Sequence, residues 1–273
     1  IGLYDFPTIF LSTAPENFFD YYTGIYVMGP NASSDFPHFG ANFWEDWERP
    51  VYMEILEPDG TYFESPAGAK IFGGWSRGQA QKSLSIFARG EYGAQEFDYP
   101  IFPDLDIDSY QSFVLRNSGN DWSFTMLRDG YMTGLFDNID LDHQAYRPTL
   151  VYLNGEFWGL YNLREKVSEH FIASHHQVDP DDLDLIEVQT ANEGTINNYN
   201  QLLSYIENSD MEDPEVYDSL SSWIDIDNHI DYNVAQIFID NRDWPGNNIK
   251  YWRPRSEDGL WRWILYDTDF GFG

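Results

Sequence analysis

The sequence contains no cysteine. Disulfides, thiolate catalysis and cysteine metal sites are therefore excluded. Positive charge is also scarce. Fifteen Lys and Arg stand against 46 Asp and Glu, for a formal net charge of −31. Only four of the basic residues are lysines: Lys70, Lys82, Lys166 and Lys250. Such a surface repels nucleic acid and anionic membranes and attracts divalent cations. It suits a salty or an extracellular setting equally. No run approaches the roughly 20 apolar residues of a membrane span, so none is expected. Internal repeats and low-complexity linkers are absent as well.

What is present is a core-forming chain. Its 273 residues are 42% hydrophobic and 18% aromatic, enough for one large or two small domains. Pro7–Leu11 and Ile25–Met28 read as short strands. Pro30–Gly40 reads as a loop carrying an Asn31-Ala32-Ser33 triplet that fits a glycosylation sequon. Val51–Leu56, Asp59-Gly60 and Thr61–Phe63 predict a hairpin. A second is predicted by Thr149–Leu153, Asn154-Gly155 and Phe157–Tyr161, because Asn-Gly favours a turn with positive φ at both positions.

Between these hairpins lies a glycine-rich turn. Ala69–Phe72 leads into Gly73-Gly-Trp-Ser-Arg-Gly78, and the strand-like Lys82–Phe87 follows. Gly73, Gly74 and Gly78 lack a Cβ, so backbone N–H groups there can approach a phosphate closely. Lys82 can add a positive charge. The same residues also fit a plain tight turn with a solvated lysine. Further on, Asp121 predicts the cap of a helix to about Asp137. Its apolar face is Phe124, Leu127, Tyr131 and Leu135. Arg128 and Asp129 in it reach towards Lys82 or form a surface ion pair.

From Lys166 to Asn241 the pattern reads mainly helical, over about 166–176, 195–208, 213–223 and 226–241. His175 and His176 end the first helix; adjacent side chains diverge, so a dipole role fits better than a metal pair. Ile230, Val234, Ile237 and Phe238 predict a core-facing stripe on the last helix. It leads into Asn241-Arg-Asp-Trp-Pro-Gly-Asn-Asn248. Two strand-like runs, Ile249–Arg253 and Leu260–Tyr266, precede Asp267-Thr-Asp-Phe-Gly271. Asp243 and Asn248 have the spacing of a protein kinase catalytic loop, and Asp269-Phe270-Gly271 matches the kinase metal-binding turn. The order of all these features follows a kinase. It predicts an α+β, protein-kinase-like two-lobed fold: a β-rich N-lobe over 1–162 and a mainly helical C-lobe over 163–273.

The chain resembles the CotH kinase family, named for spore coat protein H. The resemblance rests on Gly24–Gly29, Trp47–Pro50, Gly73–Arg77 with Lys82–Leu84, Leu115–Asp121, Val151–Glu165, Asn241–Asn248 and Trp263–Phe272. It implies a kinase-like fold and, for active members, ATP-dependent phosphorylation of protein Ser or Thr. It also implies a secreted, cell-surface or spore-coat setting in bacteria. Asn241 stands where the kinase loop has a histidine, and the glycine turn is not a full G-x-G-x-x-G.

On this reading Asp243 orients or deprotonates the attacking hydroxyl. Asn248, Asp267 and Asp269 hold Mg²⁺ or Mn²⁺ through oxygen ligands. Lys82, Gly73, Gly74, Arg77 and Arg116 serve the ATP phosphates, and Asn162–Glu165 offers backbone groups to adenine. Protein substrates are the expected partners, with other domains of a longer, processed chain. Taken alone, Asp243 also fits a turn residue before Pro245, and Asp267 with Asp269 also fits a Ca²⁺ site or a turn. A rival reading is a silent pseudokinase that binds a glycan or partner through its ten tryptophans and acidic surface. A carboxylate-pair hydrolase is a third, opposed by the one-residue separation of Asp267 and Asp269 on a strand.

Overall fold

A computed structural model describes residues 5–272. The strands are, in chain order, β1 (Thr8–Ser12), β2 (Glu48–Leu56), β3 (Tyr62–Phe72), β4 (Ser83–Phe87) and β5 (Phe97–Asp98). Next come β6 (Ser109–Tyr110), β7 (Ser112–Arg116), β8 (Asp142–His143), β9 (Tyr146–Leu153) and β10 (Glu156–Glu165). The last four are β11 (Leu183–Glu187), β12 (Thr190–Glu193), β13 (Lys250–Pro254) and β14 (Arg262–Leu265). The helices are α1 (Pro15–Phe19), α2 (Arg128–Gly134), α3 (Glu169–His176), α4 (Asn197–Asn208), α5 (Pro214–Leu220) and α6 (Ile226–Phe238). None among the described residues is long and apolar enough to cross a membrane. Two compact units form: Ile1–Gly130 with Ala145–Lys166, and Tyr131–Gln144 with Val167–Gly273.

The first unit is a closed barrel in the order β1-β2-β3-β4-β7-β10-β9. Successive strand residues point to opposite sides of the sheet, so every second one faces the lumen. Ile9 and Leu11, Val51, Met53 and Ile55, Ala67, Ala69 and Ile71, and Leu84 and Ile86 fill it accordingly. Both expected hairpins form. Ile55 pairs with Phe63 across β2 and β3. Asn154 at φ 51° and Gly155 at φ 84° turn β9 into β10, a conformation these two residues tolerate. Ile25–Met28 is not a strand. The barrel closes where β1 pairs parallel with β9, Thr8 opposite Leu150.

The second unit carries a five-stranded sheet, β12-β11-β13-β14-β8, with a hydrophobic cluster against it. A two-lobed kinase-like fold with a mainly helical C-lobe is therefore not what forms. The chain is mostly β, with a closed barrel and six short helices among the described residues. Two physical reasons account for the difference. Leu183–Glu187 is only five residues long and buries Asp184 beside its apolar neighbours, too short a run for periodicity to separate a strand from a helix segment. The closing pair of the barrel joins residues more than 140 positions apart, which no local pattern carries.

Two apolar stripes also face the other way from expectation. Asp121 does not open a helix as expected; its carboxylate instead accepts from the N–H of Leu127 and Arg128, both at 3.1 Å, where a later helix starts. The helix is only Arg128–Gly134, and Phe124, Leu127, Tyr131 and Leu135 are exposed. On α6, Ile230, Val234, Ile237 and Phe238 are exposed. Tyr232 and Ala235 enter the core with Trp261, Trp263 and Leu265. Periodicity shows that a helix has an apolar face. Which face turns inward depends on the neighbour it packs against.

Candidate functional site

In the barrel unit, the glycine turn is braced from within. Gly73 has φ 98°, a value that favours glycine. A short 3₁₀ turn, Trp75–Gly78, follows. Arg77 Nε donates to Gly73 O at 2.5 Å, and its Nη1 donates to Phe43 O at 3.1 Å. The guanidinium lies over the Trp44 ring. Lys82 is only 5% exposed. Its Nζ donates to Arg77 O and to Gln79 O, each at 2.8 Å, and sits 3.9 Å from the centre of the Phe43 ring. Hydrogen bonds from a charged donor are worth about 1.5–3 kcal/mol, while burying an ammonium costs several. Burial wins, and the Lys82 pKa falls to about 8. A cavity of about 430 Å³ is lined by Lys82 together with Tyr26, Met28, His38, Phe43 and Gln79.

Arg116 lies at the end of β7. Its Nη1 is 3.0 Å from Asp129 Oδ2, and Arg164 Nη2 is 3.4 Å from the same oxygen. Asp129 thus engages two buried guanidiniums, and the surface ion pair envisaged for it is instead an interior one. Arg128 lies 3.5 Å from Asp121. Asn162 donates to Ser118 Oγ at 2.5 Å and Met126 O at 2.9 Å. Glu165 accepts from the Ala145 N–H at 2.9 Å. The Asn162–Arg164 backbone pairs with β7 on one side and β9 on the other, so its polar groups face neighbouring strands.

Sequence reasoning singled out neither Arg164 nor Asn117. Asn117 is fully buried. Its Oδ1 accepts from Ser83 Oγ at 2.9 Å and Gly119 N at 3.0 Å, and its Nδ2 donates to Gln81 O at 2.6 Å. It ties the approach to β4 to the end of β7. The available signal was a run of small and amide residues, Asn117-Ser-Gly-Asn120, directly after a strand.

The sheet unit gathers the acidic motifs. Helix α6 ends at Phe238, and the 241–248 loop folds on its own amides. The Asp243 N–H donates to Asn241 Oδ1 at 3.2 Å. Asp243 Oδ2 accepts from Asn247 Nδ2 at 3.0 Å and from Asn248 Nδ2 at 2.9 Å. The Asn248 amide also donates to Asp267 O at 3.4 Å. Asn248 and Asp267 have φ 55° and 52°, the left-handed region that Asn and Asp enter more readily than most residues. Strands β13 and β14 pair, Lys250 opposite Ile264, which returns the chain from Asn248 to Asp267. Thr268 and Asp269 are buried. Thr268 O accepts from the Gly271 N–H at 3.0 Å, and Ile239 O accepts from the Phe272 N–H at 2.6 Å. The Asp-Phe-Gly turn is thereby fastened just beyond the end of α6.

Asp243, Asn248 and Asp267 are thus brought together, with Asp269 two residues further along the chain. Gly73, Gly74, Arg77 and Lys82 form a separate group in the barrel unit. Asn248 turns its nitrogen to Asp243 and Asp267 O, and its Oδ1 accepts no hydrogen bond among the described residues. No group of three His, Cys, Asp or Glu side chains among the described residues has the arrangement of a metal site.

No curated protein matches the chain. A family profile described as CotH kinase protein matches residues 69–273. That span takes in the glycine turn, the Asn154-Gly155 hairpin and both acidic motifs. A match over well more than half of the sequence makes this chain a member of the CotH kinase family.

Proposed function

We propose that the chain transfers the γ-phosphoryl group of ATP to a Ser or Thr hydroxyl of a protein, with Mg²⁺ or Mn²⁺, in an extracellular or cell-surface setting. The observation that carries this reading is the Asn248 amide, which joins Asp243 Oδ2 to the backbone of Asp267. It supports the reading, because the Asp243 carboxylate and the Asp267 backbone share one amide. Family membership supports kinase-like chemistry in general.

The donor set fits a hard cation. Asn248 Oδ1 with the Asp267 and Asp269 carboxylates offers oxygen only. Mg²⁺ is commonly held by one or two carboxylates together with substrate phosphates, so it needs no cluster of three. When bound, the cation neutralises phosphate charge. Asp243 is held through Oδ2, which leaves Oδ1 to take the hydroxyl proton. As that proton moves to Asp243, the hydroxyl oxygen bonds to the γ-phosphorus and its bond to the ADP oxygen breaks. Lys82 and Arg77 brace the glycine turn. Lys82 is read as adding positive charge for a phosphate.

Incubation with labelled ATP and Mn²⁺ or Mg²⁺, followed by mass spectrometry, tests the reading. Phosphorylated Ser or Thr on the wild-type protein, absent from Asp243→Asn, is expected. A second reading is a silent binding module, favoured by the use of Lys82 and Arg77 donors on backbone carbonyls. It prevails if ATP with either metal gives neither a thermal shift nor a change in tryptophan fluorescence.

A further inference from the structure

Helix α6 packs with amides inward. Ile230, Val234, Ile237 and Phe238 are exposed, while Asn228, Tyr232 and Gln236 are buried at i, i+4 and i+8. Burying an amide is unfavourable unless hydrogen bonds offset the loss of water. Burial of apolar area alone favours turning the helix over. Asn228 is held through both ends of its amide and Gln236 through its oxygen, while Gln236 Nε2 has no partner among the described residues.

Each one holds a different arm of the acidic site. Asn228 Oδ1 accepts from the Trp263 N–H at 2.7 Å, and its Nδ2 donates to Trp263 O at 3.4 Å. That grips β14, the strand leading to Asp267. Gln236 Oε1 accepts from Asn241 Nδ2 at 2.9 Å. Its main-chain oxygen accepts from the Asn241 N–H at 3.1 Å. Asn241 Oδ1 then accepts from the Asp243 N–H at 3.2 Å. Gln236 is 1% exposed and Asn241 5%, so neither bond competes with solvent. Asn228 and Gln236 lie eight residues apart, about 12 Å along one helix. A single rigid rod therefore sets both arms.

We propose that the inward amide face of α6 is the positioning element of the acidic site: Gln236, through Asn241, sets Asp243, and Asn228, through Trp263, sets the strand entering Asp267. These are positioning residues, since neither touches the reacting atoms. The inference rests on the reading of Asp243 as the group that takes the hydroxyl proton. Its geometry also yields a measurement that does not.

Amide hydrogen exchange and transfer kinetics on the same 273-residue chain test it. Gln236→Leu is expected to speed exchange at the Asp243 amide on the order of tenfold and to leave the Trp263 amide unchanged. Asn228→Leu is expected to do the reverse. A misplacement of about 1 Å costs on the order of 10²-fold in rate. Each variant should therefore lose about 10- to 100-fold in kcat, with the KM for ATP within about twofold of wild type. Asn241→Leu removes the same link from its other end and serves if Gln236→Leu does not fold. The Gln236→Leu, Asn241→Leu double variant should be no slower than Asn241→Leu alone. Unchanged Asp243 exchange in both Gln236→Leu and Asn241→Leu overturns the positioning role. An Asp243→Asn protein with wild-type transfer sinks the functional reading instead, and the exchange result still decides the proposal.

Discussion

The two units use their charged and amide groups in opposite ways. In the barrel unit, Lys82 and Arg77 turn half of their donors on the carbonyls of Gly73, Arg77, Gln79 and Phe43. Their charge is spent on holding a turn. In the sheet unit, Asp243 is gripped through one oxygen only, by the amides of Asn247 and Asn248. Its other oxygen and Asn248 Oδ1 accept no hydrogen bond among the described residues. One set of groups is satisfied by the fold. The other is oriented by the fold and left with capacity. A motif that carries the right residue types does not distinguish these cases; partners and distances do.

The sharpest way to break the comparison is Asp243→Asn. General base catalysis contributes roughly 10²–10⁴-fold, so transfer measured with labelled ATP should fall by that factor while the melting temperature stays near wild type. Next is Asn248→Ala, which removes one of the two amides that grip Asp243 Oδ2 and its link to Asp267 O. A loss of about 10- to 100-fold in kcat with little change in stability is expected; equal activity would mean that Asp243 is held without it.

Lys82→Met probes the other side. It leaves the Arg77 and Gln79 carbonyls without their donor, a penalty of about 1–3 kcal/mol for each buried group left unmatched. Relief of a buried ammonium offsets part of it. A net loss of about 1–3 kcal/mol in a denaturant titration is expected. An unchanged midpoint, with nucleotide binding abolished, would show that Lys82 acts as a phosphate ligand instead of a brace.

The smallest effect is in pH. Burial lowers the Lys82 pKa to about 8, below the roughly 10.4 of an unfolded lysine. Between these values the unfolded chain binds more protons than the folded one, so Lys82 makes stability rise with pH across that window. The wild-type slope between pH 8 and 10 should exceed that of Lys82→Met by up to about 1.4 kcal/mol per pH unit. Identical slopes would mean that the amine is not buried as an ammonium.

Local features were legible because local chemistry sets them. Asp59-Gly60 and Asn154-Gly155 marked their hairpins through backbone preferences alone. Helices α3 to α6 lie within a few residues of their expected ends. The acidic motifs were found by spacing, and the hairpin between them returned the second to the first. Asn117, Arg164 and Gln236 were not found, because each matters through a partner distant in sequence or through burial. Asn117 bonds Ser83, 34 residues away, and Arg164 meets Asp129 only once the barrel has closed.

The sequence by itself determined the chemistry on offer: no thiols, few cations, many carboxylates, two hairpin turns and a pair of acidic motifs in kinase order. These follow from composition and from preferences that act over a few residues. The tertiary structure alone decided the barrel, the five-stranded sheet, the inward face of α6 and the use of Lys82 as a brace. Each of those depends on which surfaces meet. Burial and hydrogen bonding are settled between residues that the chain keeps far apart until it folds.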